Sequence, residues 1–178
     1  KTEFLYKKKM KRVLHSETKS LTFHIVSIIL ISFHAALIYS NTFSVPFHFD
    51  DISSILGNPS IKDMRNFLDF SGSRYVGFLS FALNYSVGES HVFGYHLINF
   101  VIHITNAFLV YMLIILTFRI PLMASSEFFI QCLIPWIALT AAILFLSHPV
   151  QTEAVTYIFQ RLASLATLFY LLTLICYL

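Results

Sequence analysis

The sequence predicts an all-α polytopic membrane protein of about four spans, and three observations carry that prediction. Of 178 residues, 57% are hydrophobic and only 12% charged, half the charge of an ordinary soluble domain, at about 25%. The mean hydropathy is +0.73, and the apolar residues fall in runs near the ~20 needed to cross a bilayer. Such runs are too long for barrel strands, and only a helix satisfies its own backbone within one lipid-exposed segment. Nineteen Phe and nine Tyr suit a lipid-facing surface with aromatic belts at its edges.

Residues 1–20 are a basic N-terminus: Lys1, Lys7, Lys8, Lys9, Lys11, Arg12 and Lys19 are seven of the twelve Lys and Arg. A basic block directly before an apolar run sets that block on the cytoplasmic side. Nothing else in the chain signals nucleic acid, so the block reads as an anchor and not a nucleic-acid arm. Residues 21–42 form the first span, longer than the apolar core of a cleaved signal peptide. His24 and His34 within it read as polar residues near a helix interface.

Residues 43–93 form a large external loop, punctuated by Pro46, Gly57-Asn58-Pro59 and Ser71-Gly72-Ser73. Its acids (Asp50, Asp51, Asp63, Asp69, Glu89) outnumber its bases (Lys62, Arg65, Arg74). Residues 61–70 predict a short amphipathic helix. The segment 76–87 is apolar but too short to span, and is expected at the interface.

Residues 94–118 return as the second span. At 100° per residue, His96, Asn99, His103 and Asn106 share one stripe, which should face protein or a water-filled cavity and not lipid. Interhelical hydrogen bonding and direct substrate contact both remain open for it. Residues 119–127 are a short cytoplasmic loop, 128–147 the third span with a kink expected at Pro135, and 148–153 a short external loop. A fourth span covers 154–178, with Glu153, Tyr157, Gln160 and Ser164 on one face and Arg161 beside them. Arg161 lies about 12 Å of helix rise from Glu153 and calls for an anionic partner, a carboxylate or a phosphate. Cys132 and Cys176 sit in apolar segments, with nothing to pair them. The chain starts without Met and stops on an apolar run, as a piece of a longer protein would.

The acidic pair Asp50-Asp51 stands out, because charge at a bilayer edge is costly unless it is used or paired. The topology brings Asp50, Asp51, Arg74, His96, Glu153 and Arg161 to one non-cytoplasmic face. A carboxylate can act as general base on a hydroxyl, while Arg holds a leaving phosphate; together these describe glycosyl transfer from a lipid-linked phospho-sugar. Acids and histidines in a bundle also suit a transporter, and composition and spacing leave both open. No Gly-rich phosphate loop, CxxC pair or nucleophile elbow is present. His, Asp and Glu show no local ligand spacing, so use of a divalent metal is open.

The motif Phe47-His48-Phe49-Asp50-Asp51 is followed by Ile55-Leu56-Gly57-Asn58-Pro59. After these come SRYVGFLSFALNYSVG from Ser73, GYHLINFVIHITNAFLVY from Gly94 and SHPVQTEAVTYIFQRLASLATLFYLL from Ser147. In this order they resemble the N-terminal membrane region of the TPR-containing, GT-C-type glycosyltransferases. That group holds the transmembrane and TPR-repeat O-mannosyltransferases and their bacterial relatives, and is related to the protein O-mannosyltransferases. The Gln160-Arg161-x-x-Ser164-Leu165 stretch is similar to the bacterial members.

The resemblance implies an enzyme that moves mannose or another hexose from a polyprenyl-phosphate donor to a protein or other hydroxyl acceptor on the external face. It implies further helices and a TPR region beyond Leu178, with the piece alone inactive. By match, Asp50 or Asp51 is the catalytic acid, Asp50 as base and Asp51 as its electrostatic partner or a metal ligand. His148 and Glu153 form a second external motif, Glu153 as supporting acid. Arg74 and Arg161 are expected on the phosphate, and His96, His103 and His148 on the substrate. Arg74 departs from the group's pattern, with Tyr75-Val76-Gly77 where an Arg-Pro-Leu-like sequence is usual. The expected setting is a bacterial inner membrane, or the endoplasmic reticulum in a eukaryote. The competing readings are a membrane scaffold for a partner-binding region and a transporter, the latter without the paired broken helices typical of that class.

Overall fold

The computed structural model describes the backbone of residues 2–69, 71–120 and 128–178, and side chains from 20–69, 71–120 and 131–178. Among the described residues there are helices and turns and no strand. The helices are α1 (Thr2–Tyr39), α2 (Tyr75–Gly88), α3 (Val92–Thr117), α4 (Phe128–Ser147), α5 (Thr152–Thr156) and α6 (Arg161–Tyr177). Three segments are long and apolar enough to cross a membrane: Ser20–Tyr39, Val92–Thr117 and Ile158–Tyr177. Residues Gln131–Ser147 and Pro149–Thr156 make a fourth as a pair bent by 57°. The chain is a multi-pass membrane protein.

Helix α3 is central, packed on α1, α4 and α6. Ala35, Ala107, Ala138 and Ala142 are all fully buried where α1, α3 and α4 meet. Small side chains let backbones approach, which is how helices gain contact where lipid offers no hydrophobic drive. Polar contacts pin the same interface: His34 Nε2 donates to Ser147 Oγ at 2.7 Å, and His24 Nδ1 lies 2.6 Å from the Tyr111 hydroxyl. The two histidines therefore join helices.

A second cluster, Ile55, Ile61, Phe81, Ala82, Tyr95 and Ile158, binds the external loop to the helix ends. Helix α2 runs across this end and docks through Gly77, where a Cβ would meet Leu162 Cδ2 at 1.9 Å.

Three expectations need correction. The first helix runs back through the basic segment to Thr2, and its apolar span ends at Tyr39, before a turn at Thr42–Ser44. In place of one amphipathic helix over 61–70 there are two short turns, Pro59–Lys62 and Met64–Phe67 (Phe70 lies outside the described residues). Asn58 and Asp63 cap these turns by accepting from Ser60 N–H and Arg65 N–H, local bonds that compete with a continuous helix. The fourth span, expected unbroken from 154, is interrupted at Tyr157, which is extended at φ −92°, ψ 107°. That break governs the site.

Candidate functional site

The break between α5 and α6 interrupts the helical hydrogen bonding, and the buried polar groups around it need partners. The stripe on α3 supplies them. His96 Nδ1 is 3.3 Å from Val155 O and Nε2 2.8 Å from Val45 O. Asn99 Nδ2 donates to Ile158 O at 3.2 Å, and Asn106 Nδ2 to Ser164 O at 3.0 Å. His96, Asn99, His103 and Asn106 are all at most 1% exposed.

The break also holds the acidic loop. Asp51 is fully buried; its Oδ1 accepts from Phe159 N–H at 2.8 Å, and its Oδ2 from His48 N–H at 3.2 Å. His48 stacks at 5.1 Å on Tyr157, whose hydroxyl lies 3.3 Å from Asp50 N–H. Asp51 is thus a peg between loop and break. Each of its oxygens accepts one backbone N–H. Burial raises the Asp51 pKa above 3.8, against the lowering effect of the His48 and Phe159 amides. An acid with a raised folded-state pKa favours the fold when protonated. Its stabilising contribution is complete below 3.8 and is lost as pH rises through the raised value. Thermal unfolding of the full-length protein should therefore show a stability gain on acidification that Asp51→Asn removes. An unchanged pH slope in the variant would refute it.

Asp50 is the opposite case, exposed and next in sequence. It lines a cavity of about 310 Å³ with Arg74, Tyr157, Phe159, Gln160 and Leu162. Both charged residues sit at strained backbone. Arg74 has φ +60°, and Phe49, just before Asp50, has φ +49°. Non-glycine residues adopt that region rarely and at a cost, and such strain gathers at functional sites. Among the described residues, Asp50 and Arg74 make no ion pair with each other. A carboxylate and a guanidinium thus face one space without neutralising one another.

A neighbouring cavity of about 210 Å³ shares Gln160 and Ala163 with the first, and includes Glu153, His103, Asn106 and Ser164. Glu153 is exposed at its edge. His148 caps the turn after α4, its Nδ1 accepting from Val150 N–H at 3.3 Å. Glu153 and His148 therefore share the outer end with Asp50, each on a different turn.

Arg161 departs most from expectation. It is fully buried, and its partners are neutral: Asn99 Oδ1 at 2.7 Å, Tyr95 O at 2.9 Å and Ser80 O at 3.1 Å. The guanidinium lies 4.6 Å over the Phe81 ring and 5.6 Å from that of Tyr95. No carboxylate among the described residues reaches it, and α2 and α3 enclose it. His96 is enclosed too, whereas His103, though almost fully buried, lines the cavity of about 210 Å³ beside Glu153. Ser80 and Tyr95 were not legible as partners in the sequence, since a carbonyl acceptor carries no residue signature. Among the described residues, no group of three or more His, Cys, Asp or Glu gathers as a metal would require.

No family model matches the chain, and no solved structure does. Curated proteins do. Protein O-mannosyl-transferase Tmtc2 of Drosophila melanogaster is 33% identical over 161 residues, covering 81% of this chain and 16% of its own length. Protein O-mannosyl-transferase F38B6.6 of Caenorhabditis elegans is 34% identical over 164 residues, 83% of this chain and 22% of its own length. Protein O-mannosyl-transferase TMTC2 of Homo sapiens is 31% identical over 158 residues, 79% and 17%. The chain is similar to protein O-mannosyl-transferases over about four-fifths of its length, and spans about a fifth of theirs or less. These relatives are animal proteins, and they lend no support to a bacterial-type affiliation.

Proposed function

We propose that this chain forms part of a membrane O-mannosyltransferase and contributes one wall of its active site. The donor is a polyprenyl-phosphate mannose and the acceptor a protein hydroxyl. The observation that carries this reading is the cavity that Asp50 shares with Arg74 at the end of the spans away from the basic segment. Similarity to proteins named for O-mannosyl transfer supports the reaction class.

In this reading Asp50 takes the proton from the acceptor hydroxyl. The acceptor oxygen bonds to the anomeric carbon as the bond from that carbon to the phosphate oxygen breaks. Arg74 meets the negative charge growing on the departing polyprenyl phosphate. Asp51 and Tyr157 position the loop that carries Asp50. Arg161 acts through structure, by holding α2, which Arg74 immediately precedes, against α3 and α6. Glu153 borders the adjoining cavity, where the rest of the acceptor or sugar is placed, and His148 caps the turn leading to it. A GT-C-type architecture, a TPR region beyond Leu178, a cytosolic N-terminus and an endoplasmic reticulum membrane complete the proposal.

The test is sugar transfer by the full-length protein in nanodiscs, with polyprenyl-phosphate mannose or a nucleotide-linked mannose as donor, with and without chelator. Transfer from the lipid-linked donor alone is expected. Transfer from the nucleotide sugar alone would overturn the donor assignment, and no transfer from either would favour a membrane scaffold. Loss on chelation would add a divalent metal to the reaction.

A further inference from the structure

At the opposite end of the spans lies a third cavity, of about 240 Å³, between α1, α3 and α4. Its polar lining includes Ser20, His24, Arg119 and Gln131, and its apolar walls include Phe118 and Pro135. His24 is oriented by two contacts, Nδ1 to the Tyr111 hydroxyl and Nε2 to Ser20 Oγ at 3.4 Å. With Nδ1 accepting from Tyr111, the Nε2 proton is directed to the Ser20 side. Arg119 is exposed, and its backbone N–H bonds Leu116 O at 2.9 Å, so the side chain leaves from a fixed point.

Charge is strongly divided between the two ends. The ion pairs among the described residues, His48–Asp51 and Arg65–Asp63, both belong to the external loop. Every acid among the described side chains (Asp50, Asp51, Asp63, Asp69, Glu89 and Glu153) lies at that outer end. Arg119 has no carboxylate within ion-pair distance among them. In sequence, eight of the twelve Lys and Arg (Arg119 and the seven up to Lys19) belong to the other end, against Glu3, Glu17 and Glu127. A cavity that opens between helix ends, carries a guanidinium with no carboxylate partner among the described side chains and continues into apolar walls matches an anionic lipid. The head meets the donors and the glycerol meets Phe118 and Pro135.

We infer that this cavity binds the phosphate of an anionic phospholipid, from the leaflet next to the basic segment. Arg119 makes the charge-assisted contact; the Ser20 hydroxyl, held by His24, supplies a second donor. The site is independent of the transfer reaction, and its test does not depend on that reading.

The full-length protein in phosphatidylcholine nanodiscs is crosslinked with a photoactivatable phosphatidylserine, and the labelled peptides are mapped. Labelling is expected on the segments 115–119 and 131–135. Arg119→Gln should lower it about tenfold, the loss of one charge-assisted contact, and Arg119→Lys by less. Lys7, Lys8 and Lys9 changed together to Gln should lower overall labelling while leaving its position unchanged. Equal labelling by a photoactivatable phosphatidylcholine would overturn the charge assignment. Displacement by inorganic phosphate would make this a free-anion site and overturn the lipid assignment. Labelling unchanged in Arg119→Gln would remove Arg119 from the site.

Discussion

Arg161→Met should unfold the outer end of the molecule far more than any single surface change. The guanidinium joins three helices through Asn99 Oδ1, Tyr95 O and Ser80 O, in a place with no access to water. Removing it strips Asn99 Oδ1 of the donor it has, and leaves the two carbonyls with fewer bonds in a buried setting. The expected loss is about 3 kcal/mol or more, since each buried polar group left unsatisfied costs roughly 1–3 kcal/mol. Arg161→Lys restores little, because one ammonium cannot reach three oxygens spread over α2 and α3 as a planar fork does. Equilibrium unfolding in detergent measures this directly, and a change within about 0.5 kcal/mol, the range of surface substitutions, would contradict the assignment. The cation needs no carboxylate because carbonyl dipoles and two aromatic faces surround it.

Asp50→Asn should have the largest effect on catalysis and almost none on the fold. The side chain is exposed, and the Asp50 backbone N–H donates to the Tyr157 hydroxyl at 3.3 Å, a contact the substitution keeps. An amide keeps the shape and cannot take the acceptor's proton. Transfer should fall by about 100-fold or more, the usual contribution of a placed general base. Arg74→Gln should lower the same rate through the leaving phosphate, with the fold again intact. Transfer retained in Asp50→Asn would leave Asp50 with no part in the reaction.

The spans were legible in the sequence because length and hydropathy are local quantities, and a bilayer imposes both. The His96–Asn106 stripe was legible too, as a helical period of polar residues in an apolar run. Its target was not. His96, Asn99 and Asn106 reach the backbone of residues 155–164, and a backbone carbonyl looks alike in every residue. The break at Tyr157 had no Pro or Gly to announce it; it is stabilised from outside, by α3 and by Asp51. For the same reason a continuous helix through Glu153 and Ser164 was the natural reading and placed Arg161 on an open polar face. The break turns α6 so that Arg161 points into the protein. Asp50 and Asp51 were found together in the sequence, but their division of labour required knowing that only one of them reaches the Phe159 amide.

That division is the central claim, and one experiment addresses it. Asp50→Asn and Asp51→Asn are made in the full-length protein, and mannose transfer per folded molecule and melting temperature are measured for both. The account predicts that Asp50→Asn loses transfer and keeps its melting temperature. Asp51→Asn turns an NH₂ toward one of two backbone donors and melts earlier, whatever rate remains. Full transfer by Asp50→Asn, or a melting temperature unchanged in Asp51→Asn, would contradict it.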